Sequence, residues 1–500
     1  MPTTQTIIVF VHGWSVTNTD TYGNLPQRLR NEATNYGINI KIEEIFLSKY
    51  ISFHDEVTID DISLAFRSAL KDQLDPYIDN GQKFICITHS TGGPVIRNWW
   101  QKYYKSQNTT CPMSHLIMLA PANFGSALAQ LGKGRISRIK SWLDGVEPGQ
   151  GVLNWLELGS IESWEMNLEW IFSKDLKTGD DNVYPFVLTG DYIDRKLYDN
   201  LNNYTGELGS DGVVRTSAAN LNSNYVKLVQ QDVELDAKGK FSAHNLNAET
   251  IQYSQNTAMR IISFKSHSGN TMGIMKSVKS DFSDKNSHEL IDAIFRSAKV
   301  DSLESYAKII HDFEIETENI QNIERLETKK FDGLPARNFI HDKYTMVIFR
   351  VTDTDGRAVN DFDILLTAGT KSDPNHLPQG FFVDRQRNSI SGNMITYYIN
   401  YSIMNGCVEV KNEKNEIIRD AQPGISTLGF KIIARPDDGF VHYLPCELKA
   451  DKEIMKHVIT PNSTTMVEIV LQRVVHRNVF RLSKMDENYK AEDFKKVKPF

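Results

Sequence analysis

The sequence predicts a largely parallel sheet with helices on both faces, followed by an all-β, sandwich-like unit. Three observations carry this expectation. Short apolar runs alternate with amphipathic stretches over the first ~270 residues, the signature of repeated βαβ units. From about residue 335 the pattern changes to short alternating strands punctuated by turn dipeptides. A chain of 500 residues also exceeds what one compact core normally serves, so two domains are expected.

In order, the apolar runs are TIIVFV (6–11), IKIEEIFL (40–47), KFICIT (83–88), HLIMLA (115–120), YPFVLTG (184–190) and MRIISF (259–264). They are short and nearly unbroken, as strands buried on both faces are. Stretches 60–78 and 93–105 are amphipathic and read as helices between them. Segment 126–172 breaks the rhythm: it carries Trp142, Trp155, Trp164 and Trp170 of the seven tryptophans and no clear strand. It reads as a helical cap insertion whose tryptophans are either cap core or a lid that contacts lipid. The α/β domain is therefore assigned to 1–280. Residues 281–334 read as a charged, helical connecting segment. Residues 335–500, with runs such as YTMVIFRVTDTDGRAV, MITYYINYSI and TTMVEIVLQRVV, form the sandwich-like domain.

Charge and composition narrow the function. The balance of 56 basic and 63 acidic residues, net −7, with no long basic block, argues against a nucleic-acid partner. Four cysteines without metal-type spacing (Cys86, Cys111, Cys407, Cys446) read as buried thiols in a reducing compartment, and no metal site is expected. The N-terminus MPTTQTIIVFVHGWS has no cationic region and too short an apolar run for a signal peptide. No run approaches the ~20 residues that cross a bilayer, so any membrane contact is expected to be peripheral.

Three segments carry chemistry. VFVHGWS (9–15) is a strand running into a glycine, where a backbone N–H can turn toward a ligand. THSTGG (88–93) places Ser90 between a strand and a helix, at a turn that presents a nucleophile in many acyl hydrolases. Thr88 stands where the usual G-x-S-x-G motif has glycine, and Gly92 and Gly93 leave room for the helix to pack closely. The partners of such a serine follow it in the order acid, then histidine, in an α/β hydrolase. ELGSDGVVRTSAAN (207–220) offers Asp211 on a tight turn, with Asp191 as the alternative acid. FKSHSGN (264–270) offers His267 just past a strand, with His244 as the alternative base. His12 and His89 read as buried groups that brace the site. His267 would take the Ser90 proton, Asp211 would orient the imidazole, and the amides of Trp14 and Thr91 would hold the oxyanion. This chemistry requires no cofactor.

FVHGWSVTNTDTYGNLP, THSTGGPVIRNWW, GSDGVV and SHSGNTMGIM together resemble the PlaB-type bacterial phospholipase A/lysophospholipase A family, which carries its nucleophile in T-H-S-T-G. The resemblance covers the hydrolase part and the two-domain layout. It implies an α/β-hydrolase domain with a β-sandwich-like partner, and Ser90, Asp211 and His267 at the triad positions. It further implies release of fatty acids from glycerophospholipids and lysophospholipids, and peripheral attachment to a bacterial membrane or cell surface through the C-terminal domain. Homotetramers and regulation by NAD(H) are implied as well, although no G-x-G-x-x-G loop locates a dinucleotide. The aromatic clusters 380–384 and 395–401 and the tail 493–500 would suit a lipid surface, or simply strand core and a solvated tail. Two other readings stand beside this one: a soluble carboxylesterase or thioesterase, and an inactive hydrolase scaffold used for binding.

Overall fold

The computed structural model describes residues 5–12, 22–51, 56–132, 149–194, 206–231, 244–323, 326–331, 334–437, 439, 441–449 and 454–475. The first five predicted runs become β1 (Thr6–His12), β2 (Ile40–Phe46), β3 (Phe84–His89), β4 (Met113–Leu119) and β5 (Tyr184–Thr189). Two strands, β6 (Ser223–Gln230) and β7 (His244–Tyr253), then leave for another sheet before β8 (Ala258–Ile261) returns as the sixth member. The order is β8-β5-β4-β3-β1-β2, and every neighbouring pair is parallel. Because the chain goes from β1 to β2 on one side and then crosses to β3 on the other, the sheet has a switch point between β1 and β3. A crevice forms there at the carboxyl ends of the strands.

Helices α1 (Leu25–Glu32), α2 (Ile59–Ile78) and α3 (Gly92–Trp100) follow the strands. A capping box starts α2: the Thr58 hydroxyl accepts from the Asp61 amide and the Asp61 carboxylate accepts from the Thr58 amide. The described part of the cap contains α4 (Gln150–Leu156) and α5 (Ile161–Phe172). Trp155, Trp164 and Trp170 are 5%, 2% and 1% exposed, so these three are core, and Trp142 lies outside the described residues. Residues 281–334 differ from a connecting element. Their helices α6 (His288–Ala298) and α7 (Leu303–Ile323) belong to the α/β layer. The Tyr306 hydroxyl donates to Pro185 O (2.6 Å) and Thr317 Oγ1 accepts from the Ile261 amide (3.1 Å), tying α7 to the sheet.

The C-terminal part supplies β9 (Tyr344–Asp353), β10 (Phe362–Ala368), β11 (Phe382–Arg387), β12 (Met394–Asn400), β13 (Leu428–Ala434), β14 (Cys446–Leu448) and β15 (Thr464–Leu471). With β6 and β7 they make one nine-stranded sheet, β10-β13-β14-β7-β6-β15-β9-β12-β11. The sheet curls until its two ends face each other, and that is how one sheet is sandwich-like: the Phe349 and Phe430 rings meet at 5.3 Å, and the Tyr397 hydroxyl donates to Ile364 O across the gap. The 1–280 segment is thus not continuous in space, since 223–253 belong to this second sheet.

Strand alternation joins the two units. Met346 and Ile348 of β9, Tyr398 of β12 and Met466 of β15 enter the core built around the parallel sheet. Their neighbours Val347, Phe349, Tyr397 and Val467 point the other way, into the core enclosed by the curled sheet. A period of two lets one strand serve both cores. Tyr397 and Tyr398, read from sequence as available to a lipid surface, are buried in this way, whereas Phe382 is exposed. The tail 493–500 lies outside the described residues.

Candidate active site

Ser90 sits where β3 ends at the switch point, with φ +53°. This left-handed conformation costs a residue with a Cβ about 1–2 kcal/mol. Surrounding hydrogen bonds enforce it: the Ser90 amide donates to Leu119 O (3.0 Å), and Ser90 O accepts from the amides of Gly93 (3.1 Å) and Ala122 (3.3 Å). The strained turn pushes the hydroxyl out of the sheet into the crevice. Thr88 is fully buried beneath it, and a Cβ placed on Gly92 would stand 3.2 Å from the Thr88 Cβ. The glycine after the serine leaves room for the threonine before it, so the missing glycine does not block the turn.

The structure brings Ser90, His267 and Asp211 together. His267 Nε2 lies 3.0 Å from Ser90 Oγ and its Nδ1 lies 2.8 Å from Asp211 Oδ2. His267 and Asp211 are 1% and 0% exposed, so this hydrogen bond is shielded from water. The other carboxylate oxygen of Asp211 accepts from the amides of Val213 (3.0 Å) and Val214 (2.8 Å), and Asp211 O accepts from the His267 amide (2.9 Å). These bonds fix the carboxylate plane toward the imidazole. His89 packs its ring 4.7 Å from that of His267, and in the neutral form its Nε2–H donates to His267 O (3.2 Å). Burial, then the neighbouring His267, hold the His89 imidazole well below its ordinary pKa, which keeps it a neutral brace.

The alternative residues sit elsewhere. Asp191 is buried at the end of β5 and burial pushes its carboxyl pKa up, but it makes no hydrogen bond to His267. His244 opens β7 in the second sheet, where its backbone pairs with Cys446. The Thr91 amide makes no hydrogen bond with the described residues and is available to an oxyanion. Trp14, the other expected donor, lies outside the described residues. Next to Ser90 and Thr91 runs a narrow apolar slot of about 40 Å³ lined by Leu128, Leu153, Leu156, Val213 and Val214. The slot residues from the cap escaped the sequence reading, although the run VLNWLEL carries the apolar spacing that places them. Ser126 ties the slot together, its hydroxyl donating to Val213 O (2.6 Å) while its amide donates to Leu156 O (2.8 Å).

No family model matches the chain, and no curated protein matches it. Among solved structures, phospholipase PlaB from Legionella pneumophila is similar with TM-score 0.83 and 42% identity, covering 97% of both chains. The same protein in complex with thio-NAD is similar with TM-score 0.82 and 40% identity, covering 97% of this chain and 98% of that one. Identity at this level over nearly the whole length, together with the shared architecture, means that the chain belongs to the PlaB family of phospholipases and is a lipolytic ester hydrolase.

Proposed function

We propose that the chain releases fatty acids from glycerophospholipids and lysophospholipids through an acyl-enzyme, with Ser90 as nucleophile, His267 as general base and Asp211 as the group that orients it. The observation that carries this reading is the Ser90–His267–Asp211 relay at a strained strand-to-helix turn beside an apolar slot. His267 Nε2 removes the Ser90 proton as Oγ attacks the ester carbonyl, and Asp211 stabilises the imidazolium. The Thr91 amide, with that of Trp14, receives the charge on the carbonyl oxygen. The imidazolium then returns its proton to the leaving alcohol, and water attacks the acyl-enzyme with His267 again as base. The apolar slot accepts the start of the acyl chain.

Attachment to a membrane surface is proposed as peripheral, since among the described residues no helix is long and apolar enough to cross a membrane. A homotetramer and control by NAD(H) are carried over from the family as proposals. The sequence after β1, HGWSVTNTD, has one glycine where the G-x-G-x-x-G motif has three, so that motif does not locate a dinucleotide there, and no step above runs through the group. The narrow slot favours a second reading, an esterase for short acyl chains. Product analysis on mixed phospholipid vesicles and on dispersed short-chain esters separates the two. Fatty acid release from vesicles is expected for the wild type. Ser90→Ala, Asp211→Asn and His267→Ala should each lose on the order of 10³-fold or more in kcat with unchanged circular dichroism. Wild type that resists fluorophosphonate labelling, or Ser90→Ala that keeps its activity, would overturn the assignment.

A further inference from the structure

Asp211 stands at the tip of a short hairpin whose stem is gripped from the second sheet. Ser210 and Arg215 pair as an antiparallel bridge, the Thr216 amide donates to Gly209 O (2.9 Å) and the Asp211 amide donates to Val214 O (3.1 Å). Such a tight loop transmits displacement of its stem to its tip. Arg215 makes a bidentate pair with Glu207 across the stem (2.7 and 2.8 Å), and its Nη2 reaches Asp384 on β11 at 2.7 Å. The guanidinium lies 4.1 Å from the ring centroid of Tyr398 on β12. The Tyr398 hydroxyl in turn donates to Leu208 O (2.9 Å) or Gly209 O (3.1 Å) on the stem. A Cβ on Gly209 would stand 2.3 Å from the Tyr344 ring, so the hairpin lies directly on the second sheet.

Asp384 reaches Arg215 through an irregularity. The pairing of β11 with β12 shifts register between Phe382 and Asp384. Phe382 and Val383 are both exposed, whereas strict alternation would turn one of them inward. The extra residue re-aims Asp384 toward the hairpin, as bulges near functional sites commonly do. Arg215 and Glu207 already satisfy each other's charge, so a second carboxylate on the same buried guanidinium is not required to neutralise it. Its effect is to fix where the hairpin sits.

We propose that Asp384 is a positioning residue for hydrolysis: by holding Arg215 from the second sheet, it keeps the Asp211 carboxylate in line with His267. The proposal rests on the triad reading above, and the two are tested separately. Asp384→Ala, Asp384→Asn and Asp384→Glu are assayed in the full-length protein on a dispersed short-chain ester, with circular dichroism and melting followed in parallel. Loss of alignment should lower kcat by about ten- to hundredfold for Asp384→Ala with KM within about twofold. Asp384→Glu should restore more activity than Asp384→Asn. The proposal is overturned if Asp384→Ala keeps a kcat within twofold of wild type, if its loss falls on KM and not on kcat, or if Asp384→Glu is no more active than Asp384→Asn. Should Asp384→Ala fail to fold, the same criteria apply to Asp384→Asn. Asp211→Asn is run alongside: full activity there overturns the triad itself, whereas an inactive Asp211→Asn with a wild-type Asp384→Ala overturns only the positioning role.

Discussion

Thr88 shows how one residue can depart from a motif without disrupting the turn it belongs to. Its side chain is buried under the Ser90 turn, and its hydroxyl finds no hydrogen-bond partner among the described residues. An unsatisfied buried hydroxyl costs roughly 1–3 kcal/mol, and valine has nearly the same shape without it. Thr88→Val is therefore expected to raise stability by ~1 kcal/mol, read by calorimetric melting, with kcat within about twofold of wild type. A drop in melting temperature would mean that the hydroxyl has a partner. The meeting of Ser90, Asp211 and His267 was legible in the sequence because each ends a strand or tips a turn that short-range chemistry defines. The choice of Asp211 over Asp191 also followed from its S-D-G turn. Arg215 was not legible: in VVRTS nothing local distinguishes an arginine that ties the hairpin to the second sheet from one that faces water.

At the scale of elements, the six parallel strands were readable because burial on both faces leaves continuous apolar runs. The helix α7 was misread as a connector because its sequence is rich in charge, and charge tallies ignore which face each residue occupies. Its buried residues Tyr306, Ile309 and Phe313 fall at i, i+3 and i+7, a stripe laid on the sheet. Several of its charges are structural too: Glu316 pairs with Arg260 (2.8 Å) and Arg296 (2.7 Å), whose guanidinium groups lie 5.6 and 5.1 Å from the centroid of the Phe313 ring. Phe313→Ala should therefore cost about 3–5 kcal/mol, observed as a lowered melting temperature, because it opens a cavity and leaves both cations without their aromatic face. An effect below ~1 kcal/mol would return α7 to the role of a connector. The departure of β6 and β7 to the second sheet was not legible either, since NYVKLVQ alternates like any half-buried strand and only tertiary pairing selects its neighbours.

At the scale of the molecule, two sheets share one chain in an interleaved order, and this decides what truncation does. The second sheet holds β6 and β7 between strands of the C-terminal part: β6 pairs with β15 and β7 with β14. The hairpin bearing Asp211 follows β5 and precedes β6, so it lies between the two units in sequence as well as in space. The edge strand β11 and the turn after it also hold the cap. Gln386 donates to Ala127 O (3.3 Å), Asn388 donates to Leu158 O (3.2 Å), and Glu157 accepts from the Ser389 amide (2.6 Å) and hydroxyl (2.7 Å). Removing residues 335–500 would thus strip β6 and β7 of their outer partners, expose Tyr225, Val226 and Leu228, and release both the Asp211 hairpin and the walls of the apolar slot. Were the C-terminal part only a membrane anchor, the remaining 1–334 would still hydrolyse a water-soluble short-chain ester and would fail only on vesicles. The interleaving gives the opposite expectation: 1–334 loses kcat on the soluble ester by on the order of a hundredfold or more and aggregates through its unpaired strand edges. Measuring that ester hydrolysis alongside size-exclusion behaviour decides the matter, and a monodisperse, fully active 1–334 would show that the second sheet serves attachment alone.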